Sequence, residues 1–203
     1  MKHALFLSAA AVAALSLAAC NKPASTTASD TTAAAGQAVN KAEDATGAAV
    51  GATSATTVGS HDTAAFVSNA SQSDMYEIQA AHIAEKRSKN PDIKAFARLM
   101  IKDHTASSKA MGPLAQAAGL TPAADLDSRR HGFIDHLNAA PDADFDKTYA
   151  DQQVAAHKEA LDLINGYAKD GSDSGLKDAA AKLVPMVQTH LDKITAIQAS
   201  LKT

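Results

Sequence analysis

Four residues carry the reactive chemistry available to this 203-residue chain. Glu77, His104, His157 and His190 each interrupt an otherwise apolar line of residues at helical spacing. Three imidazoles and one carboxylate could together surround a Zn, Cu, Mn or Fe ion, and so nitrogen-rich a set leans toward zinc or copper. Asp103 and Asp151 are candidates to stand behind a histidine and orient it. The competing reading is structural. A lone histidine on an apolar face is ordinarily hydrogen-bonded within a core, Glu77 and one histidine would make an adequate buried pair, and such networks fix helix register. Spacing alone does not force the four residues to one level, so the sequence by itself favours the structural reading.

The lines that hold these residues predict four long helices. The second is the most explicit: Asn90 can cap the first turn and Pro91 occupies the first helical position, where a missing N–H costs nothing. Ile93, Ala97, Met100, His104, Ser107, Met111, Leu114 and Ala118 then follow at the 3.5-residue spacing of packed helices. Before it, a helix from about Thr63 to Ser88 presents Phe66, Ala70, Ser73, Glu77, Ala80 and Ala84, with Asp62 as its cap. A third, from about Asp142 to Ala168, aligns Ala150, Val154, His157, Leu161 and Ile164, with Phe145, Tyr149 and Gln152 beside them. The fourth, from about Ser174 to Leu201, aligns Leu176, Ala180, Leu183, Val187, His190, Ile194, Ile197 and Leu201, and its internal Pro185 predicts a bend near Ala181. Between the second and third, Thr121-Pro122 predicts the start of a short helix to residue 139, ended by Pro141. Arg129-Arg130-His131 reads as a solvated face of that helix, and Lys86, Arg87 and Lys89 as cations favoured by a helix C-terminus. Gly166 and Gly171 read as flanking helix ends. No run alternates polar with apolar residues, so the expected class is all-α.

Two antiparallel helix pairs joined by a long connection are the topology of the ferritin-like four-helix bundle. Particular phrases go further: Met75-Tyr76-Glu77-Ile78, Phe96-Ala97 with Met100 and Asp103-His104-Thr105, Asp144-Phe145-Asp146 with Tyr149, Val154-Ala155-Ala156-His157, and Pro185 followed by His190-Leu191. Over about residues 66–200 they resemble an exported bacterial family of ferritin-like fold that carries only a domain-of-unknown-function label, with members described as membrane or outer-membrane proteins. The resemblance implies the fold and supplies no reaction. Di-iron members of the wider class use Glu from two helices and Glu-x-x-His from the other two. Here Ile101 and Val187 stand three residues before His104 and His190, so that motif is absent. Glu77, His104 and His190 match the acid and two histidines of the class, and His157 takes the place of the third helix's Glu.

The first residues read as a targeting device, with Lys2 and His3 followed by an apolar run too short and alanine-rich for a permanent span. Leu17-Ala18-Ala19-Cys20 resembles the lipobox of bacterial lipoproteins, which implies a signal peptide over 1–19 and acylation of Cys20, the only cysteine. Residues 20–60 are mostly Ala, Thr, Ser and Gly and read as a flexible tether with a reach of about 35 Å. Residues 61–203 hold nearly all the large apolar side chains and suit one domain. A net charge of −3 with 4% aromatic residues and no tryptophan argues against nucleic acid as a partner. No Gly-x-Ser-x-Gly elbow or Gly-rich phosphate loop is present, which disfavours an enzyme. The sequence therefore predicts a lipid-anchored envelope protein facing the periplasm, on the outer membrane, acting as a noncatalytic interaction or stress-related module. The alternative is a metal-binding or metal-dependent redox protein using Glu77, His104, His157 and His190.

Overall fold

Side chains close the first turn of four of the five helices in the computed structural model, which describes residues 61–201. Asp62 accepts from Ala65 N at 2.7 Å ahead of α1 (Thr63–Arg87). Asn90 accepts from Asp92 N at 2.8 Å and Ile93 N at 3.3 Å, ahead of Pro91 and α2 (Pro91–Ala117). Asp127 caps α3 (Ser128–Ala139) and Asp173 caps α5 (Ser174–Ser200) in the same way. Between them, α4 (Phe145–Asp170) begins at Asp144 without a side-chain cap. Each oxygen satisfies an amide that the helix leaves without a partner. No strand occurs among the described residues. The predicted signal peptide, Cys20 and the tether all lie outside them.

Long-range bonds fix how the helices pair. Asp74 meets His104 and Glu85 meets Arg98, so α1 and α2 run antiparallel across their short turn. Asp151 meets Gln198 and His157 packs on His190, pairing α4 with α5 in the same sense. Thr63 meets Tyr167 and Tyr76 meets Gln152, placing α1 antiparallel to α4. Asp103 meets His190 across α2 and α5. Helices α2 and α4 therefore point the same way, and residues 118–144 must travel back along the bundle. Gly119 starts that return in the left-handed region at φ 74°, with Leu120 N donating to Ala115 O at 2.9 Å to close the end of α2.

Helix α3 lies on the return and packs against α1 and α4. It begins at Ser128, not at Pro122. Two amides of the intervening stretch are bonded to α1 side chains instead of to a helical turn: Ala123 N donates to Ser71 Oγ and Asp127 N to Gln72 Oε1. Its two arginines are not a solvated face either, although His131 beside them is half exposed. Arg129 makes a two-pronged bond to Glu159 on α4 at 2.8 and 2.6 Å, while Arg130, 5% exposed, bonds both Asp127 and Glu159. Arg87 likewise does more than answer the α1 dipole. Its guanidinium donates to the carbonyls of Leu137, Asn138 and Ala140 and to Asp142, and lies 4.5 Å over the Phe145 ring. Those carbonyls are the ones the end of α3 leaves free. Helix α5 continues through Pro185 and α2 through Pro113, while Gly166 is interior to α4 rather than at its end.

The core is divided in two. One apolar cluster gathers Ile93, Phe96, Met100, Phe145, Tyr149 and Ile194. The other gathers Phe66, Met111, Leu161, Ile164, Tyr167 and Val187. His104 falls between Met100 and Met111 along α2, and His190 between Val187 and Ile194 along α5. A layer of buried ionisable groups separates the two clusters.

Candidate metal centre

The three histidines reach that layer from α2, α4 and α5 and form a nearly equilateral triangle. Ring centroids are 5.9 Å apart for His104–His157 and 5.5 Å for His104–His190 and His157–His190. One ligand nitrogen from each lies within 4.8 Å of the others. Nitrogens bound to one ion at about 2.0 Å in a trigonal shell would sit about 3.5 Å apart, so the triangle would close by up to about 1.3 Å to grip it. All three are buried, at 3%, 1% and 1% exposure for His104, His157 and His190.

What sets these imidazoles apart is how each is held. His104 Nδ1 lies 2.8 Å from Asp74 Oδ1, His157 Nδ1 lies 2.8 Å from the main-chain carbonyl of Gln153, and His190 Nε2 lies 3.1 Å from Asp103 Oδ2. Carbonyl and ionised carboxylate oxygens only accept, so each of these nitrogens carries the proton and donates it. The opposite nitrogen then bears the lone pair. Those opposite nitrogens, His104 Nε2, His157 Nε2 and His190 Nδ1, are buried and have no hydrogen-bond partner. Three lone pairs in one layer, each set by an acceptor behind its ring, are the pattern of histidines that hold a metal.

The charges of the layer favour a cation. Burial pushes His157 down to about 3, helped by the neighbouring His104, and His190 down to about 4, so both rings are neutral and able to bind at neutral pH. Burial alone would depress His104 as well, but its bond to Asp74 and the field of Glu77 raise it above the ordinary histidine value. Burial lifts Glu77 to about 7 against the attraction of His104. A metal at the triangle would displace the proton His104 holds when charged and would draw Glu77 toward its ionised form.

All four residues named from sequence meet in the layer, but they are not equivalent. Glu77, on α1 and 1% exposed, lies with Oε1 3.7 Å from His157 Nδ1, on the far side of that ring from its free nitrogen. It flanks the triangle and is not a corner of it. Asp103 does orient a histidine, whereas Asp151 is turned toward Lys147 and Gln198 and touches none. Asp74 and Gln153 were not foreseen. Asp74 stands three residues before Glu77, on the same helical face, and Gln153 four residues before His157, the two spacings that a helix brings together.

Fold and site together define a class: an all-α bundle whose core is split by a buried three-histidine layer. Within that class the chain belongs to the family known as Domain of unknown function (DUF4142), which it matches over residues 48–197. Two solved structures share the fold: CopM in the Cu(II)-bound form, at TM-score 0.58 and 16% identity over 68% of this chain and 95% of that one, and CopM in the Cu(I)-bound form, at TM-score 0.58 and 15% identity over 69% and 97%. No curated protein matches the chain in sequence.

Proposed function

We propose that this protein binds a single transition-metal ion, copper or zinc, between His104, His157 and His190. The observation that carries the reading is the matched arrangement of the three rings, each donating to an acceptor on one side and each leaving a buried, unpartnered nitrogen on the other, with one ring nitrogen of each within 4.8 Å of the others. An all-imidazole set with no thiolate suits copper or zinc over manganese. Copper is the first ion to try, because CopM, which shares the fold, is described bound to Cu(II) and to Cu(I). Titrating metal-free protein with Cu(I), Cu(II), Zn(II), Mn(II) and Fe(II) should give one equivalent of tight binding for copper or zinc, weaker binding for the others, and a raised thermal midpoint on loading. No affinity tighter than micromolar for any of them would return the layer to a purely structural role. That second reading has its own support, since the buried Asp74–His104 pair sits between two apolar clusters where it would fix helix register.

The finer assignment is a ferritin-like domain on a lipid-anchored, periplasm-facing envelope protein of the outer membrane. Two antiparallel hairpins joined by a long return support the first part. Leu17-Ala18-Ala19-Cys20 supports the second. On this assignment a Cys20→Ser variant leaves the membrane fraction when cells are lysed and separated. Its persistence there would rule out the lipid as the anchor.

A further inference from the structure

The acceptors behind the three rings differ in what else they touch. Asp74 has both oxygens engaged, Oδ1 by His104 and Oδ2 by the Ser108 hydroxyl at 3.0 Å, and its side chain is 9% exposed. The acceptor behind His157 is the main chain of Gln153, a residue at 0% exposure. Asp103 is different. Only Oδ2 meets a histidine, the carboxylate is 20% exposed, and Oδ1 faces the Lys102 ammonium at 3.7 Å. That lysine side chain is 80% exposed, and so loose a surface pair holds little. Asp103 is thus the carboxylate of this layer that reaches both solvent and a ring.

From this asymmetry we infer that metal reaches and leaves the centre between α2 and α5, with Asp103 as the capturing carboxylate and His190 as the ligand that exchanges first. The inference rests on the three-histidine reading. A cation arriving at the surface can replace Lys102 at Oδ1, which no histidine occupies. Loosening the Asp103–His190 bond frees that ring to swing and opens the triangle on one side. His104 and His157 stay fixed by acceptors that solvent barely reaches. A centre built this way loads and unloads, as a carrier or exchanger does, rather than locking a permanent structural ion.

Asp103→Asn in the full mature chain tests the route, because asparagine keeps an oxygen for His190 and removes the charge. With Zn(II) as the probe, followed by stopped flow against a colorimetric chelator, the variant should bind about tenfold more slowly at low ionic strength. Wild-type uptake should slow as salt is added, and the variant's should not. Asp162→Asn, at an exposed carboxylate on α4 that touches none of the three rings, should leave the association rate unchanged. Circular dichroism and thermal midpoints establish that both variants are folded. Uptake unaffected by salt and by Asp103→Asn, or slowed equally by Asp162→Asn, overturns the route while leaving the site intact. Failure of wild-type protein to bind zinc or copper at all overturns the three-histidine reading, and the route with it.

Discussion

Replacing His157 with leucine is expected to weaken copper or zinc binding by at least about 100-fold while leaving the metal-free protein as stable as before, or more so. The first half follows from loss of one of three ligands, since changing even the groups behind such ligands costs 10–100-fold. The second half follows from how this ring is held. Its Nδ1 bonds a helical carbonyl, and the Glu77 carboxylate 3.7 Å away is beyond hydrogen-bond reach, so its removal breaks no bond to a charged partner. Its Nε2 is buried and unpartnered, which in the metal-free state costs about 1–3 kcal/mol. Leucine removes that burden at similar size. Isothermal titration and urea unfolding of the metal-free variant give both numbers. Retained one-to-one binding would show that the ion is held elsewhere, and a stability loss above about 2 kcal/mol would show that the ring is there for packing. The same test on His104 would mislead, because Asp74 would be left buried beside an empty space.

The metal-free protein should also lose stability on acidification, most steeply below about pH 5. His157 and His190 have folded values of about 3 and 4, below the ordinary 6.5, so the unfolded chain takes up protons that the folded one refuses. Their contribution is present above pH 6.5 and disappears as pH falls toward those folded values. Each withdraws about 3 kcal/mol between pH 7 and 4. Glu77 acts with the opposite sign. With its folded value raised from 4.5 to about 7, its contribution is present at low pH and lost as pH rises through 7, so over the same interval it returns about 3 kcal/mol. The net is a loss, because two histidines act against one carboxyl. His104, raised by its carboxylate neighbours, contributes below 6.5 and loses that contribution as pH climbs through its folded value. Glu77→Gln should therefore stabilise the protein at pH 7 and deepen its acid loss, as read from urea midpoints across pH 4–8. An unchanged profile would show that Glu77 is not buried as a titrating carboxyl.

Much of the bundle was legible because helix packing is local in its sequence signal. Every residue on the lines drawn through α4 is buried, and six of eight on the α2 line, with Leu114 and Ala118 partly buried toward its end. Capping oxygens located the starts of α1 and α2 for the same reason. The meeting of the histidines was less legible, although a measure existed. Asp74 lies thirteen residues before the end of α1 and His104 thirteen after the start of α2, so a hairpin of two antiparallel helices brings them level. What could not be read was partner choice across the fold. Arg129 and Arg130 find Glu159 some thirty residues away, and Arg87 finds the end of α3 some fifty away. Their charge pattern alone is that of any solvated helix. The sequence also tilted toward a structural role for the histidines, because the Glu-x-x-His acids are absent. The structure supplies what shifts that balance: the direction in which each ring donates.

The strap formed by α3 has a mechanical corollary. Arg87, Arg129 and Arg130 stitch it to the α1/α4 side, as a binding holds the spine of a book. A volume sewn along one edge falls open along the other, and here the fore-edge is the seam of α2 and α5, where Asp103 and His190 face each other.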